Sequence, residues 1–343
     1  ARTRGEGDTL MLRAGVDLGG TKIQTVIVDQ AGTVLGQCRL ATPQDRGPAG
    51  VLDAMVESVR QAMADAGAEA TQLLGVGVGS PGQIDHAAGT VSHAGNLPDW
   101  LGTIDVATPL RAALGVPIEL ANDVQVGVMA ESRLGAGRPY SSMLGIFCGT
   151  GVGGGIVIND ELWLGRGAAG EVGHMVVEPD GAPCPCGRKG CLEAYAGRAA
   201  MEAEARRRID KGKHSDLIKI MEKKGRTRMS SGVWAKALEK DDHLAVALVD
   251  RAVWALGLAA ASAVNLLDVE AVVIGGGLGT RLGAPFADRI LEAMLPHLIL
   301  PEKAPQVLSA ALGDLGGAMG AALRVEHTVP PAGDLGTVAD PDA

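Results

Sequence analysis

The sequence predicts an α/β protein made of two related domains that flank one active-site cleft. Two observations carry that prediction. An apolar run, Met143–Cys148, feeds into Gly149-Thr150-Gly151-Val152-Gly153-Gly154-Gly155 and is followed at once by a second apolar run, Ile156–Ile158. The same order of strand, glycine turn and strand occurs near the start, where Leu12–Asp17 leads through Leu18-Gly19-Gly20-Thr21-Lys22 into Ile23–Val28. A shift of 130 residues lays Gly19 on Gly149, Thr21 on Gly151 and Val28 on Ile158. An internal repeat of this kind implies two similar domains, each offering one glycine loop to a shared cleft.

Taken in order, residues 1–11 are polar and read as a disordered segment. The first hairpin follows, then the turn-like Gln30-Ala31-Gly32-Thr33 and a strand over Val34–Arg39. Leu52, Met55, Val56, Val59, Ala62 and Met63 fall at helical spacing. Leu73–Val78 reads as a strand ending in Gly79-Ser80-Pro81-Gly82, and His93–Trp100 as an irregular loop. Pro117–Leu120 is a short strand, after which Asn122-Asp123 opens a helix through Arg133. Residues 199–243 are charged and helical, and Leu244–Leu267 is an apolar helix that must be mostly buried. Ala271–Ile274 is a parallel-type strand ending in Gly275-Gly276-Gly277. A helix over 280–295, a strand near Gln306–Ala310 and a helix over Gly316–Val325 complete the pattern. The expected division is an N-terminal domain over 12–121, a C-terminal domain over 122–311, a last helix over about 312–326 returning to the first domain, and a disordered tail over 327–343.

At 343 residues and 46% hydrophobic content the chain can bury two cores, but aromatics supply only 2%, so those cores are built of Ala, Val, Leu and Met. A net charge of −9 excludes non-specific binding to nucleic acid or to anionic membranes. The apolar runs read as falling short of the roughly 20 residues of a membrane span, which suggests a cytoplasmic protein.

Glycine lets backbone N–H groups converge on phosphate oxygens, and both loops join strand to strand. A P-loop or dinucleotide fingerprint would need a helix after the glycines, so neither applies. Three glycine turns, two of them related by the repeat, point to a nucleotide cleft with Gly275, Gly276 and Gly277 near the adenosine. Asn122-Asp123 is open to two readings, a helix cap or a cap with a catalytic duty. A carboxylate at a helix N-terminus interacts favourably with the dipole, and phosphoryl transfer to an alcohol needs a group that accepts the hydroxyl proton. His174, Cys184, Cys186 and Cys191 form His-x9-Cys-x-Cys-x4-Cys. Three thiolates and one imidazole make a closed tetrahedral set that suits a structural zinc. The remaining pair, Cys38 and Cys148, lie in strands and read as core residues.

With these segments assembled, the chain resembles the ROK family (repressors, open reading frames and kinases), on the side of its bacterial glucose-phosphorylating members. The matching elements are Asp17-Leu18-Gly19-Gly20-Thr21-Lys22, Gly79-Ser80-Pro81-Gly82, Asn96-Leu97-Pro98 with Trp100, and Asn122-Asp123. They continue through Gly149–Gly155, Gly170-Glu171-Val172-Gly173-His174, Cys184-Pro185-Cys186-Gly187, Gly190-Cys191-Leu192-Glu193 and Gly275–Gly277. The resemblance implies an actin-like ATPase (ribonuclease H-like) fold. It implies ATP-dependent phosphorylation of glucose at the 6-hydroxyl, with Asp123 as general base. Another hexose, such as mannose, fructose, N-acetylglucosamine or N-acetylmannosamine, and polyphosphate as donor are the alternatives. The implied sugar ligands are Asn96, Asn122, Asp123, Glu171, His174 and Glu193. Asp17, Gly19, Gly20, Thr21 and Lys22 from one loop, and Gly149, Thr150, Gly151 and Gly153 from the other, would face ATP, with Asp17 toward Mg²⁺. His174 would serve both zinc and sugar, and the zinc segment would be independent of the two phosphate loops. A homodimer or homotetramer is expected. The residues ahead of Leu12 are too few for a DNA-binding domain, so a sugar-responsive repressor is disfavoured. Ala121 and Gly316-Gly317 depart from the commonest pattern of such proteins without touching a proposed catalytic role.

Overall fold

The computed structural model describes residues 11–95 and 97–325; the sugar-ligand candidate Asn96, the expected disordered start and the tail lie outside the described residues, save Met11. The chain divides into two compact units, one of described residues up to Val126 together with those from Gly317 onward, the other Gly127–Gly316.

The first unit is built on a five-stranded sheet of order β3-β2-β1-β4-β8. Strands β1 (Leu12–Leu18), β2 (Lys22–Val28) and β3 (Val34–Ala41) form an antiparallel meander. Helix α1 (Gly47–Asp65) buries Val51, Met55, Val56, Val59, Ala62 and Met63, the stripe that its spacing predicts. Strand β4 (Leu73–Ser80) then joins β1 in parallel. A small antiparallel sheet follows, of β5 (Gln83–Asp85), β6 (Thr90–Ser92) and β7 (Thr103–Asp105), and then helix α2 (Ala107–Leu114). The sequence reading shows turns and an irregular loop there, because three-residue strands are too short to display a two-residue period. Strand β8 (Ile118–Asn122) completes the sheet beside β4, and helix α3 (Asp123–Leu134) starts directly after it.

The division between units falls inside α3 and not at its start, where the sequence placed it. Val126 belongs with the first unit because it packs with Ala121 and Ala321 in one small apolar cluster.

The second unit repeats the plan, with sheet order β11-β10-β9-β12-β13. Strands β9 (Met143–Cys148), β10 (Val152–Ile158) and β11 (Glu161–Trp163) are antiparallel, and β12 (Ala271–Gly275) and β13 (Gln306–Ser309) add in parallel. Both bounds of β10 lie 130 residues after those of β2. The glycine loop is shorter than the sequence suggested: Gly153, Gly154 and Gly155 already pair with Phe147, Ile146 and Gly145. The missing side chains of Gly155 and its partner Gly145 leave a flat face for α3, whose Val128 lies 3.0–3.2 Å from where a Cβ on Gly155 would be.

Helices α4 (Glu193–Ala196), α5 (Arg198–Asp210), α6 (Leu217–Lys223) and α7 (Ser231–Leu238) break the charged stretch into short pieces. Helix α8 (His243–Leu267) starts at an N-cap, Asp242, which accepts from the N–H groups of Leu244 and Ala245. It is long and apolar enough to cross a membrane by length and composition, contrary to the sequence reading, but 67% of its apolar window is buried. That burial makes it the core helix of this unit, packed with Trp234, Phe286 and Ile290. The predicted helix 280–295 is two helices, α9 (Gly276–Leu282) and α10 (Ala284–Met294), separated at Gly283, whose φ is 65°. The last helix, α11 (Gly316–Arg324), lies on β1 and β4 of the first unit. Gly15 and Gly77 permit this, since a Cβ there would sit 1.9 Å from the Ala318 carbonyl oxygen and 1.7 Å from that of Ala321.

Candidate active site

In the first unit the β1–β2 turn is closed by Gly19 N–H donating to the Lys22 carbonyl (2.9 Å). Two side chains missed by sequence reasoning brace it. Thr42 Oγ1 donates to the Gly19 carbonyl (2.6 Å) and Gln44 Nε2 to that of Gly20 (2.9 Å). Neither carries a motif signal, since both are ordinary polar residues after β3. Gly20 is half-buried and Thr21 is exposed. Asp17, at the end of β1, sits against the start of α11, where a Cβ on Gly317 would be 2.9 Å from its carboxyl carbon. Gly317 therefore makes room for this carboxylate, while a Cβ on Gly316, where the pair departs from the commoner Ala-Gly, would meet only Leu312.

Strands β4 and β8 end side by side, with Ser80 opposite Asn122. Asn122 caps α3: its Oδ1 accepts from Val124 N–H (3.0 Å) and Gln125 N–H (3.3 Å). Its Nδ2 donates to the Gly82 carbonyl (3.4 Å). Asp123 occupies the first helical position, and its Oδ1 accepts from Val124 N–H (2.9 Å). The capping is thus performed by Asn122.

In the second unit the β9–β10 turn is Gly149-Thr150-Gly151, closed by Gly149 N–H to the Gly151 carbonyl (2.9 Å). Beside it, β12 ends at Gly275, which pairs with Phe147. Gly276 has φ 73°, and a Cβ on it would lie 2.7 Å from three backbone atoms of Cys148. Only glycine fits there, and the outcome is that the loops Gly149–Gly151 and Gly275–Gly277 meet at the ends of adjacent parallel strands. That is where ligands of open α/β sheets bind. Arg198, at the start of α5, joins the two: its Nη2 donates to Thr150 Oγ1 (3.3 Å). It too escaped sequence reasoning, because a single arginine opening a charged helix carries no motif.

The four proposed metal ligands come together. Nδ1 of His174 and the sulfurs of Cys184, Cys186 and Cys191 all lie within 4.8 Å of one another. The Cys186–Cys191 separation is 3.7 Å and that of Cys184 Sγ from His174 Nδ1 is 3.8 Å. Tetrahedral zinc with Zn–S of about 2.3 Å would set sulfurs roughly 3.8 Å apart, so the donor set and its spacing fit the ion. Short ladders hold the loop, with Val177 N–H to the Gly190 carbonyl (2.8 Å) and Leu192 N–H to that of Met175 (2.8 Å). Burial pushes the Cys184 thiol up to about 12, while the backbone N–H and the side chain of Arg188 bring Cys186 down to about 6. His174 turns Nε2 toward Glu171, 4.0 Å from Oε2.

Glu193 corrects one expectation. Its Oε2 accepts from Val152 N–H (2.9 Å), and its Oε1 lies 4.0 Å from Cys184 Sγ. A Cβ on Gly151 would be 2.1 Å from that Oε2. The His/Cys segment and the β9–β10 turn are therefore coupled through this carboxylate and are not independent. A second tie runs to α8. Glu178 pairs with Arg251 (2.7 Å) and accepts from Tyr195, and Arg251 stacks over Trp254 (3.9 Å) and Tyr195 (5.0 Å). Of the non-ligand cysteines, Cys148 is fully buried, with its thiol pushed up to about 12 by that burial, whereas Cys38 is only half-buried.

Two units of one plan, each with a glycine hairpin beside parallel strands, define the actin-like ATPase fold. A sequence model described as the ROK family matches residues 13–328, and the chain belongs to that family. It is 32% identical to a glucokinase of Thermotoga maritima over 92% of this chain and 97% of that one. It is 31% identical to an N-acetylmannosamine kinase of Haemophilus influenzae, over 92% and 95%. The crystal structure of a ROK family glucokinase from Streptomyces griseus in complex with glucose and AMPPNP superposes with a TM-score of 0.78, at 32% identity, covering 92% of this chain and 99% of that one.

Proposed function

We propose that this protein is an ATP-dependent hexose kinase that transfers the γ-phosphoryl group to the 6-hydroxyl of glucose. The observation that carries the reading is Asp123. It stands at the first position of α3 with its carboxylate oriented by Val124 N–H, while Asn122 relieves it of the capping duty. A general base must be oriented before its basicity matters. In the proposed step Asp123 takes the hydroxyl proton as the 6-oxygen attacks phosphorus in line, and ADP departs. The turns around Gly20, Thr21, Gly149, Thr150 and Gly151 present backbone N–H groups to the donor's phosphates. Asp17 would hold Mg²⁺ through water, which neutralises phosphate charge when bound. Asn122, Glu171, His174 and Glu193 are assigned to sugar hydroxyls. Zinc on His174, Cys184, Cys186 and Cys191 would be structural, because four protein donors leave no open position. Similarity to a glucokinase and to a structure holding glucose and AMPPNP supports both substrates.

The near-equal identity to an N-acetylmannosamine kinase supports a second reading, an N-acetylhexosamine acceptor. A coupled assay of ADP release with ATP and Mg²⁺, over glucose, mannose, fructose, N-acetylglucosamine and N-acetylmannosamine, separates them. The highest kcat/KM is expected with glucose. A zinc-replete, folded protein that phosphorylates none of these sugars overturns the reading.

A further inference from the structure

The guanidinium of Arg198 lies where the two glycine turns of the second unit meet. Nη2 donates to Thr150 Oγ1 at 3.3 Å, and Nη1 is 2.8 Å from where a Cβ on Gly277 would stand. One side chain thus touches the Gly149–Gly151 turn and lies against the Gly275–Gly277 turn. Among the described residues no carboxylate pairs with it: the nearby Glu202 is already occupied by Arg206 (2.8 Å), Arg228 (3.0 Å) and Met229 N–H (2.9 Å). Burial and the charge of Arg228 both disfavour a cation at this place, and Glu202 offsets them only in part. A half-buried guanidinium held by one hydroxyl retains N–H donors in a fixed fork, the geometry that suits phosphate oxygens.

We propose that Arg198 is a donor-binding residue that reads the phosphate chain of the nucleotide between the two glycine turns. The proposal rests on the kinase reading for the identity of its ligand. It gives the second unit a positive charge for ATP that its glycine turns lack, and it explains why the residue opening α5 reaches back across Thr150. The residue contacts the donor and not the sugar, so it belongs to KM for ATP.

Equilibrium titration of the zinc-replete protein with ATP, ADP and adenosine tests this without requiring turnover. Arg198→Gln keeps length and polarity, and Arg198→Lys restores the charge without the fork. Loss of a charge-assisted hydrogen bond corresponds to roughly 10-fold or more in Kd. Arg198→Gln is expected to weaken ATP and ADP by that factor and to leave adenosine and the KM for the sugar unchanged, with Arg198→Lys recovering part of the loss. Equal weakening of adenosine would mean that Arg198 merely clamps the turns, and unchanged ATP and ADP affinity in the folded variant would mean that it does not meet them; either overturns the proposal. A wild-type protein that binds no ATP overturns the kinase reading with it, whereas ATP binding that depends on Arg198 without sugar phosphorylation removes only the kinase reading.

Discussion

At the scale of single residues, the distinction between Asn122 and Asp123 is the one with the largest kinetic consequence. Asp123→Asn keeps the shape and the bond from Val124 N–H but removes the proton acceptor. A fall in kcat of about 10²–10⁴ is expected with the sugar Kd nearly unchanged, measured by steady-state kinetics beside sugar titration. Glu193 separates two effects in the same way. Glu193→Gln can still accept from Val152 N–H, so it should raise the sugar KM about 10-fold and leave the ATP KM in place. Glu193→Ala leaves that N–H without its partner and should raise both; initial-rate kinetics in each substrate tells them apart. His174 and the three clustered cysteines were legible because their residue types and spacing state a chemistry, whereas Asn122-Asp123 was open to two readings on local grounds. Arg198 and Glu131 were not legible. Glu131 reads as a surface glutamate on an amphipathic helix, yet it is buried at 2% exposure and accepts from the N–H groups of Ala136, Ala311 and Leu312. Nothing in a linear sequence marks a carboxylate two of whose partners lie 180 and 181 residues away.

At the scale of elements, the metal loop and α5 behave differently. The purified protein should hold close to one zinc per chain, and Cys186→Ser should lose it, because a hydroxyl replaces a thiolate poorly on this ion. Because Glu193 reaches Val152, the loss should raise the ATP KM as well as the sugar KM; elemental analysis with kinetics checks it. Helix α5 is held by Glu202. Burial alone would raise its pKa, but Met229 N–H, Arg228 and Arg206 together outweigh burial and hold it below the usual carboxylate range. The unfolded carboxyl titrates near about 4.3, so the contribution is complete above that pH and is lost as pH falls toward the depressed folded value. Glu202→Gln should cost about 1–3 kcal/mol at pH 7, with the gap to wild type closing below about pH 4 in urea unfolding curves. The positions of the long elements were readable from periodicity, whereas the three-residue strands β5, β6 and β7 and the break at Gly283 were not. A short strand has no period, and a single glycine inside a helical stretch is as often tolerated as it is a stop.

At the scale of the whole molecule, the duplication was the most legible feature, because a hairpin and its copy share residue types at a constant offset. Less visible was how α11 sits on the first sheet, which depends on glycines inside strands that a sequence presents only as weak strand formers. Gly15→Ala places a methyl 1.9 Å from the Ala318 carbonyl, so the helix must lift. Overpacking of this kind costs roughly 1–3 kcal/mol, and a lower Tm with faster hydrogen exchange over 317–324 is expected. The scarcity of aromatics has an optical consequence. The chain has four indoles, and Trp100 is the one in the first unit, nearly fully buried. Trp163 is 52% exposed, Trp234 is sealed in the core of the second unit, and Trp254 lies beneath the guanidinium of Arg251. Iodide therefore quenches Trp163 first, a chain with phenylalanine in place of Trp163, Trp234 and Trp254 emits from the first unit alone, and a chain that keeps only Trp254 glows differently once Glu178 releases the cation above it.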